Sequence, residues 1–232
     1  NPMVTIPVSF FVGGSGPVRT TIARDDFDAP LNLASFNQTP APGAFSSAAS
    51  GFQEYQVGVS SAIPFALVDD SANGAPSDSQ GVVNSAAKTD AWFGIVDTVN
   101  NDNPGGAAQA VWTFDVAGAT GLEVSIDMGA MGDFETSNDS FNWTYSLDGG
   151  AFQPLFTSSV NEAGSAIYTL ADGDSFSLDD PLSMTPAGGS AVQLSNVLQT
   201  LTTALVGAGD LLTIKLDAST DGQSEAYVFD NI

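Results

Sequence analysis

The chain contains no cysteine and no histidine, and its only basic residues are Arg19, Arg24, Lys88 and Lys215. Without cysteine there are no disulfides. Without either residue the usual ligands of zinc, copper, haem and iron–sulfur centres are missing. Ser-His-Asp and Cys-His catalysis cannot be assembled from this chain alone. Four bases leave no footprint for nucleic-acid phosphates and none for anionic lipid headgroups, so neither is expected as a partner. No apolar run reaches the roughly 20 residues of a membrane-spanning helix, so no membrane insertion is expected. No signal peptide is visible at the start either.

Acids are abundant instead. Asp and Glu total 27, for a formal net charge of −23, and 22 of them are Asp. Glu favours helices, whereas Asp favours turns, caps and calcium loops. A body this negative repels itself unless salt or divalent ions screen it. These features, with the lack of disulfides, fit a bacterial secreted or cell-surface protein in a saline or calcium-rich setting. The abrupt start at Asn1 and the stop inside a strand-like run suggest a processed chain or a piece of a larger one.

Gly (24), Pro (12) and many Ser, Thr, Asn and Asp residues interrupt short apolar runs every ten residues or so, the pattern of an all-β protein. Val4 to Val12 alternates, but Pro7 restricts it to an edge strand. Residues 1–24 are expected to form an N-terminal edge strand and linker, and residues 25–232 one antiparallel β-sandwich. Strands are expected near 51–68, 92–96, 109–116, 121–128, 210–217 and 224–232, with a long polar loop at 69–90. The clearest hairpin runs from Ser140 to Phe156 around Asp148-Gly149-Gly150, residues suited to the positive φ of a tight turn. On it Phe141, Trp143, Tyr145 and Leu147 share one face. Residues 191–206 carry both a helical leucine spacing and strand-favouring threonines, and a strand is expected there.

A hard cation such as calcium takes six to eight oxygens from carboxylates, amides and carbonyls on a bent loop. Gly132 to Asp139 supplies Asp133, Glu135 and Asp139 plus the Asn138 amide, and the last strand brings Glu225 and Asp230 if it pairs alongside. The spacing is not that of an EF-hand. Replacing Asp230 by Asn is then expected to act as chelation would. A sugar surface needs exposed rings with hydroxyl-reading polar groups beside them. Trp143, Tyr145 and Trp112 sit in core-like patterns. Trp92, following the long polar loop, is the ring expected to be exposed. With Tyr55, and with Asn100 and Asp102 in the next turn, it makes the candidate ligand site. A carboxylate pair can cleave glycosides without His or Cys, but no motif singles one out, and no enzyme activity is expected.

Three pieces carry a resemblance: Asp25-Asp26-Phe27-Asp28, the Glu135…Asp139-Ser-Phe…Tyr145-Ser-Leu-Asp-Gly-Gly150 block, and the Glu225…Phe229-Asp-Asn-Ile232 ending. Over roughly 25–232 the chain resembles the jelly-roll, lectin-like modules of secreted bacterial proteins, some accompanying extracellular nucleases or phosphoesterases and others in adhesins. It is similar in layout to galactose-binding-like carbohydrate-binding modules. That resemblance implies a jelly-roll sandwich and a structural calcium held between the first and last strands, here Asp25, Asp26 or Asp28 with Asp230. The expected function is an extracellular, non-catalytic, calcium-stabilised binding or adhesion module, with polysaccharide as the expected partner. The alternative is a self-assembling subunit of a surface layer, filament or matrix whose first strand completes a neighbour's sheet.

Overall fold

The computed structural model describes residues 19–69, 81–84 and 88–232. The expected N-terminal strand, its exchange with a neighbour and most of the 69–90 loop lie outside the described residues.

Among the described residues, sixteen strands and one short 3-10 turn, Phe65–Leu67, make up the regular structure. In chain order the strands are β1 (Leu33–Thr39), β2 (Gly51–Tyr55), β3 (Val68–Asp69), β4 (Val83–Asn84), β5 (Trp92–Val96), β6 (Ala108–Asp115), β7 (Glu123–Met131), β8 (Ser140–Leu147), β9 (Gln153–Val160), β10 (Ser165–Thr169), β11 (Ser175–Asp179), β12 (Leu182–Pro186), β13 (Val192–Gln193), β14 (Gln199–Ala204), β15 (Leu211–Ser219) and β16 (Ala226–Asp230). A seven-stranded sheet, in the order β1-β6-β15-β8-β9-β12-β13, packs on a five-stranded one, β14-β7-β16-β5-β2. All their pairings are antiparallel. The molecule is therefore a β-sandwich, compatible with a jelly roll.

Local sequence explains the main elements. Asp148 and Gly149 take φ of 49° and 72° and turn β8 into β9, as the Asp-Gly-Gly signal predicts. Asp148 Oδ1 also accepts the Asp210 and Leu211 amides at 2.9 Å, which fixes the start of β15 beside the turn. The ambiguous 191–206 stretch is β13 and β14. There Leu201 and Thr203 point inward, while Thr200 and Thr202 point out. Strand alternation outweighs the helical leucine spacing because β14 has β7 to pair with.

Between the sheets lies an aromatic core. Trp112 and Trp143 stack at 5.7 Å, Phe93 and Phe229 at 4.9 Å, and all four are fully buried. Their polar edges are satisfied: Trp112 Nε1 donates to Asp25 Oδ2 and Trp143 Nε1 to the Tyr227 hydroxyl. The five-stranded sheet is covered on its other face too. Leu67, Val68, Val82 and Val83, with Ala166, Tyr168 and Leu170 around the β10–β11 hairpin, pack over Trp92, Val96, Ala226 and Val228. Gly129 and Gly94 flank Val228 in register. A Cβ on Gly94 would stand 2.6 Å from Leu67, and one on Gly129 2.8 Å from Val82. The missing side chains let this cover layer close onto the sheet. Every residue of β5 and β16 is consequently buried.

This double cover corrects one expectation. Trp92 is wholly buried and Tyr55 nearly so, their rings 5.5 Å apart inside the second core. Neither ring is available to stack on a ligand.

Candidate metal centre

Two connections cross between the sheets at one end of the sandwich. One leads from β7 to β8 (residues 132–139) and the other from β15 to β16 (residues 220–225). Because β8 pairs with β15 and β7 with β16, these loops must run side by side. Each is rich in acids.

The first loop is anchored by Phe134, which is fully buried edge-on to Phe141. It closes on itself: the Asp139 amide donates to the Glu135 carbonyl at 2.8 Å, and the Glu135 amide donates to Asp139 Oδ2 at 2.6 Å. In the second loop, Glu225 Oε2 accepts the Thr220 hydroxyl and the Gly222 amide, both at 2.8 Å. The Asn138 amide group donates to Asp221 Oδ2 at 2.8 Å and ties one loop to the other. Two glycines make the fit possible. A Cβ on Gly222 would overlap the Glu225 carboxylate, and one on Gly132 would stand 2.8 Å from Glu225 Cα.

Glu135, Asp139, Asp221 and Glu225 each bring a carboxylate oxygen to a common point, all within 4.8 Å of one another. Asp139 and Glu225 are buried, while Glu135 and Asp221 reach solvent. Among the described residues no basic side chain balances them: Arg19, Arg24, Lys88 and Lys215 pair with Glu123, Asp26, Asp90, Asp230 and Asp217. Thr220 also lies beside Asp139, but its single hydroxyl proton goes to Glu225. Asp139 Oδ1 is left buried with no hydrogen bond, an arrangement that costs stability unless something else satisfies it.

The electrostatics follow from this crowding. Burial first, then the negative charges of Asp139 and Glu135, push Glu225 up to about 7, against the opposing pull of the Thr220 and Gly222 hydrogen bonds. Burial and Asp139 raise Glu135, and burial raises Asp139. Chemically the group is a set of hard oxygen donors with excess negative charge, suited to a hard cation and lacking the soft ligands of a transition-metal site.

The other acids singled out from sequence lie elsewhere. Asp133 sits beside Asp180. Asp230 is at the far end of β16, about 16 Å from Glu225 by strand rise, where it is buried against Lys88. The strand does pair alongside β7, but it delivers only its leading acid, Glu225, to the cluster; so replacing Asp230 does not remove a donor from it. Near that far end, Asp25 accepts from Trp112 and from the Phe27 amide. Asp26 accepts the Ala29 amide and pairs with Arg24. Asp28 accepts the Ala91 amide. Each thus has its own partners: Asp25 and Asp26 hold local turns, and Asp28 ties the segment to the residue before β5. Asp221 completes the cluster and was missed in the sequence; its signal was the Asp-Gly turn four residues before Glu225.

Asn100 and Asp102 form the expected tight turn. Asn100 Oδ1 accepts the Asp102 and Asn103 amides, and Asp102 Oδ2 accepts the Ser46 amide and hydroxyl at 2.7 Å. Their side chains are committed to loop structure. The same turn ends in Gly105-Gly106-Ala107, which with Ser137, Asn138 and Asp221 lines an open cavity of about 380 Å³. Asp221 thus borders both the cavity and the carboxylate cluster.

Neither a known family model nor a curated protein sequence matches this chain.

Proposed function

We propose that the chain is an extracellular, non-catalytic binding module of a secreted or surface protein, whose loop end is clamped by calcium. The observation that carries this reading is the Glu135–Asp139–Asp221–Glu225 cluster, with one buried carboxylate oxygen left without a donor. Calcium would be held by these four carboxylates, with loop carbonyls or water completing its shell. Hydrolases that use paired carboxylates set them on opposite sides of a scissile bond with room for substrate between. Here four converge on one point, which suits holding an ion. The partner is a neutral glycan: the net charge of −23 opposes polyanions, and the loop end offers hydroxyls and amides.

A pair of thermal melts, in calcium and in chelator, tests the reading. Calcium at about 100 times its Kd stabilises the native state by about 2.7 kcal/mol, which for a domain of this size is roughly 5–10 °C in Tm. Equal midpoints in the two conditions would remove calcium from the account.

A further inference from the structure

We infer that the cavity beside the carboxylate cluster is a glycan subsite in which a vicinal diol of a neutral sugar completes the shell of the bound calcium. The inference rests on the calcium reading above and gives it a ligand. It follows from how the four carboxylates are distributed. Asp139 and Glu225 close the buried side of the cluster, while Glu135 and Asp221 stand at solvent, so an ion there is enclosed from one side only. Asp221, one of the two exposed carboxylates, also lines the cavity, which places the cavity directly beside the cluster.

The cavity's own chemistry narrows the ligand. Its lining offers the Ser137 hydroxyl and the Asn138 side chain, whose Nδ2 is held on Asp221 Oδ2 and so presents its amide carbonyl in a fixed orientation. The wall at Gly105 and Gly106 is bare backbone, which a ring can approach closely. The lining carries no base that would recognise a carboxylate or sulfate. A neutral polyol supplies what is wanted: two adjacent hydroxyl oxygens for a cation whose protein donors come from one side, and further hydroxyls for Ser137 and Asn138. The turn that builds this wall is held by the Asp102–Ser46 and Asn100 hydrogen bonds, so the two residues once expected to touch sugar support the wall of the subsite instead.

Affinity electrophoresis in native gels containing galactomannan, whose two sugars both present cis-diols, or pullulan as a second neutral polymer, tests the inference. The expected result is retardation by at least one polymer in millimolar calcium, lost in chelator. Ala107→Trp occupies the cavity while leaving all four carboxylate residues in the chain, so it should abolish retardation while keeping the calcium-induced rise in Tm. Two results would overturn the inference: a calcium-stabilised protein retarded by neither polymer, or retardation that persists in chelator or in Ala107→Trp. If calcium neither raises Tm nor supports retardation, the calcium reading itself fails and the subsite falls with it. The melts separate that case from a fault of the subsite alone.

Discussion

The Glu225 carboxylate fills the space a side chain at position 222 would need. Gly222 donates its amide to Glu225 Oε2, and a Cβ on Gly222 would overlap the same carboxylate. The displaced atoms are the end of a flexible side chain, so Gly222→Ala can be accommodated by swinging the carboxylate outward. That movement takes it out of the cluster. The expected outcome is a Tm in chelator close to that of the parent, with the calcium-induced rise cut by more than half. Gly132→Ala is the contrast, since its Cβ would press on the Glu225 backbone. It should lower Tm with or without calcium. Paired melts of both variants check the argument, and an undiminished calcium response in Gly222→Ala would show that Glu225 is not a ligand.

Asp230 supports a different expectation. It is buried against Lys88, which also pairs with Asp90, at the end of the sandwich away from the cluster. Breaking a buried ion pair from one side leaves the other charge poorly compensated, at a cost of about 3 kcal/mol for the fully buried case. Lys88 keeps Asp90, so the loss should fall below that figure. Asp230→Asn should therefore lower stability in urea melts by an amount that does not depend on calcium, and the calcium-induced increment should survive intact. Loss of that increment would mean that the two ends of the sandwich are coupled.

How much of this was legible in the chain depends on which interactions are local. The Asp148-Gly149 turn, the alternation of β8 and the acid-rich run to Asp139 are local, and each is found where the sequence puts it. The meeting of Glu135 and Asp139 with Asp221 and Glu225 is not local. It requires β7–β16 and β8–β15 pairing, which no spacing reveals. The ending Glu225…Asp230 shows why: both acids flank one strand, and only register decides that the first reaches the cluster while the second faces Lys88. Trp92 is the plainest failure. A ring after a polar loop looks exposed when one cover per sheet is assumed, but β5 has two.

Trp92 accordingly becomes a stability probe. Its ring packs on Tyr55 in the second core, and Gly94, two residues on along the same face, admits Leu67. Replacing a buried Trp by Ala costs about 3–5 kcal/mol through lost transfer energy and the cavity left behind. Trp92→Ala should lose stability on that scale in denaturant titration. Its calcium increment and its retardation in polysaccharide gels, measured where it remains folded, should match the parent. A selective loss of retardation in a stably folded variant would return Trp92 to the binding surface.

The crowded carboxylates also set an unusual pH dependence for the calcium-free protein. In the fold Glu225 is pushed up to about 7 from an ordinary value of 4.5, chiefly by burial. Between those values the native state holds more protons than the unfolded chain, so stability falls as pH rises through the window. Glu135 and Asp139 are raised as well, and Asp25 and Glu54, raised by burial elsewhere, add the same sign. The opposing contributions fall outside the window, because Asp90 and Asp102 are lowered and titrate in more acid solution; Lys88, raised from 10.5, has the same sign as Glu225 but acts only in alkaline solution. In chelator, Tm should therefore be higher at about pH 5 than at about pH 7.5, the reverse of common acid denaturation. Glu225→Gln, which cannot ionise at that position, should flatten most of the slope. A cation in the cluster would neutralise the repulsion that appears as the acids ionise, so the fall should shrink in calcium. A Tm that climbs from about pH 5 to about pH 7.5 in chelator would show that these acids gain more from their hydrogen bonds with Thr220, Gly222 and the Glu135 amide than they lose to burial and to one another.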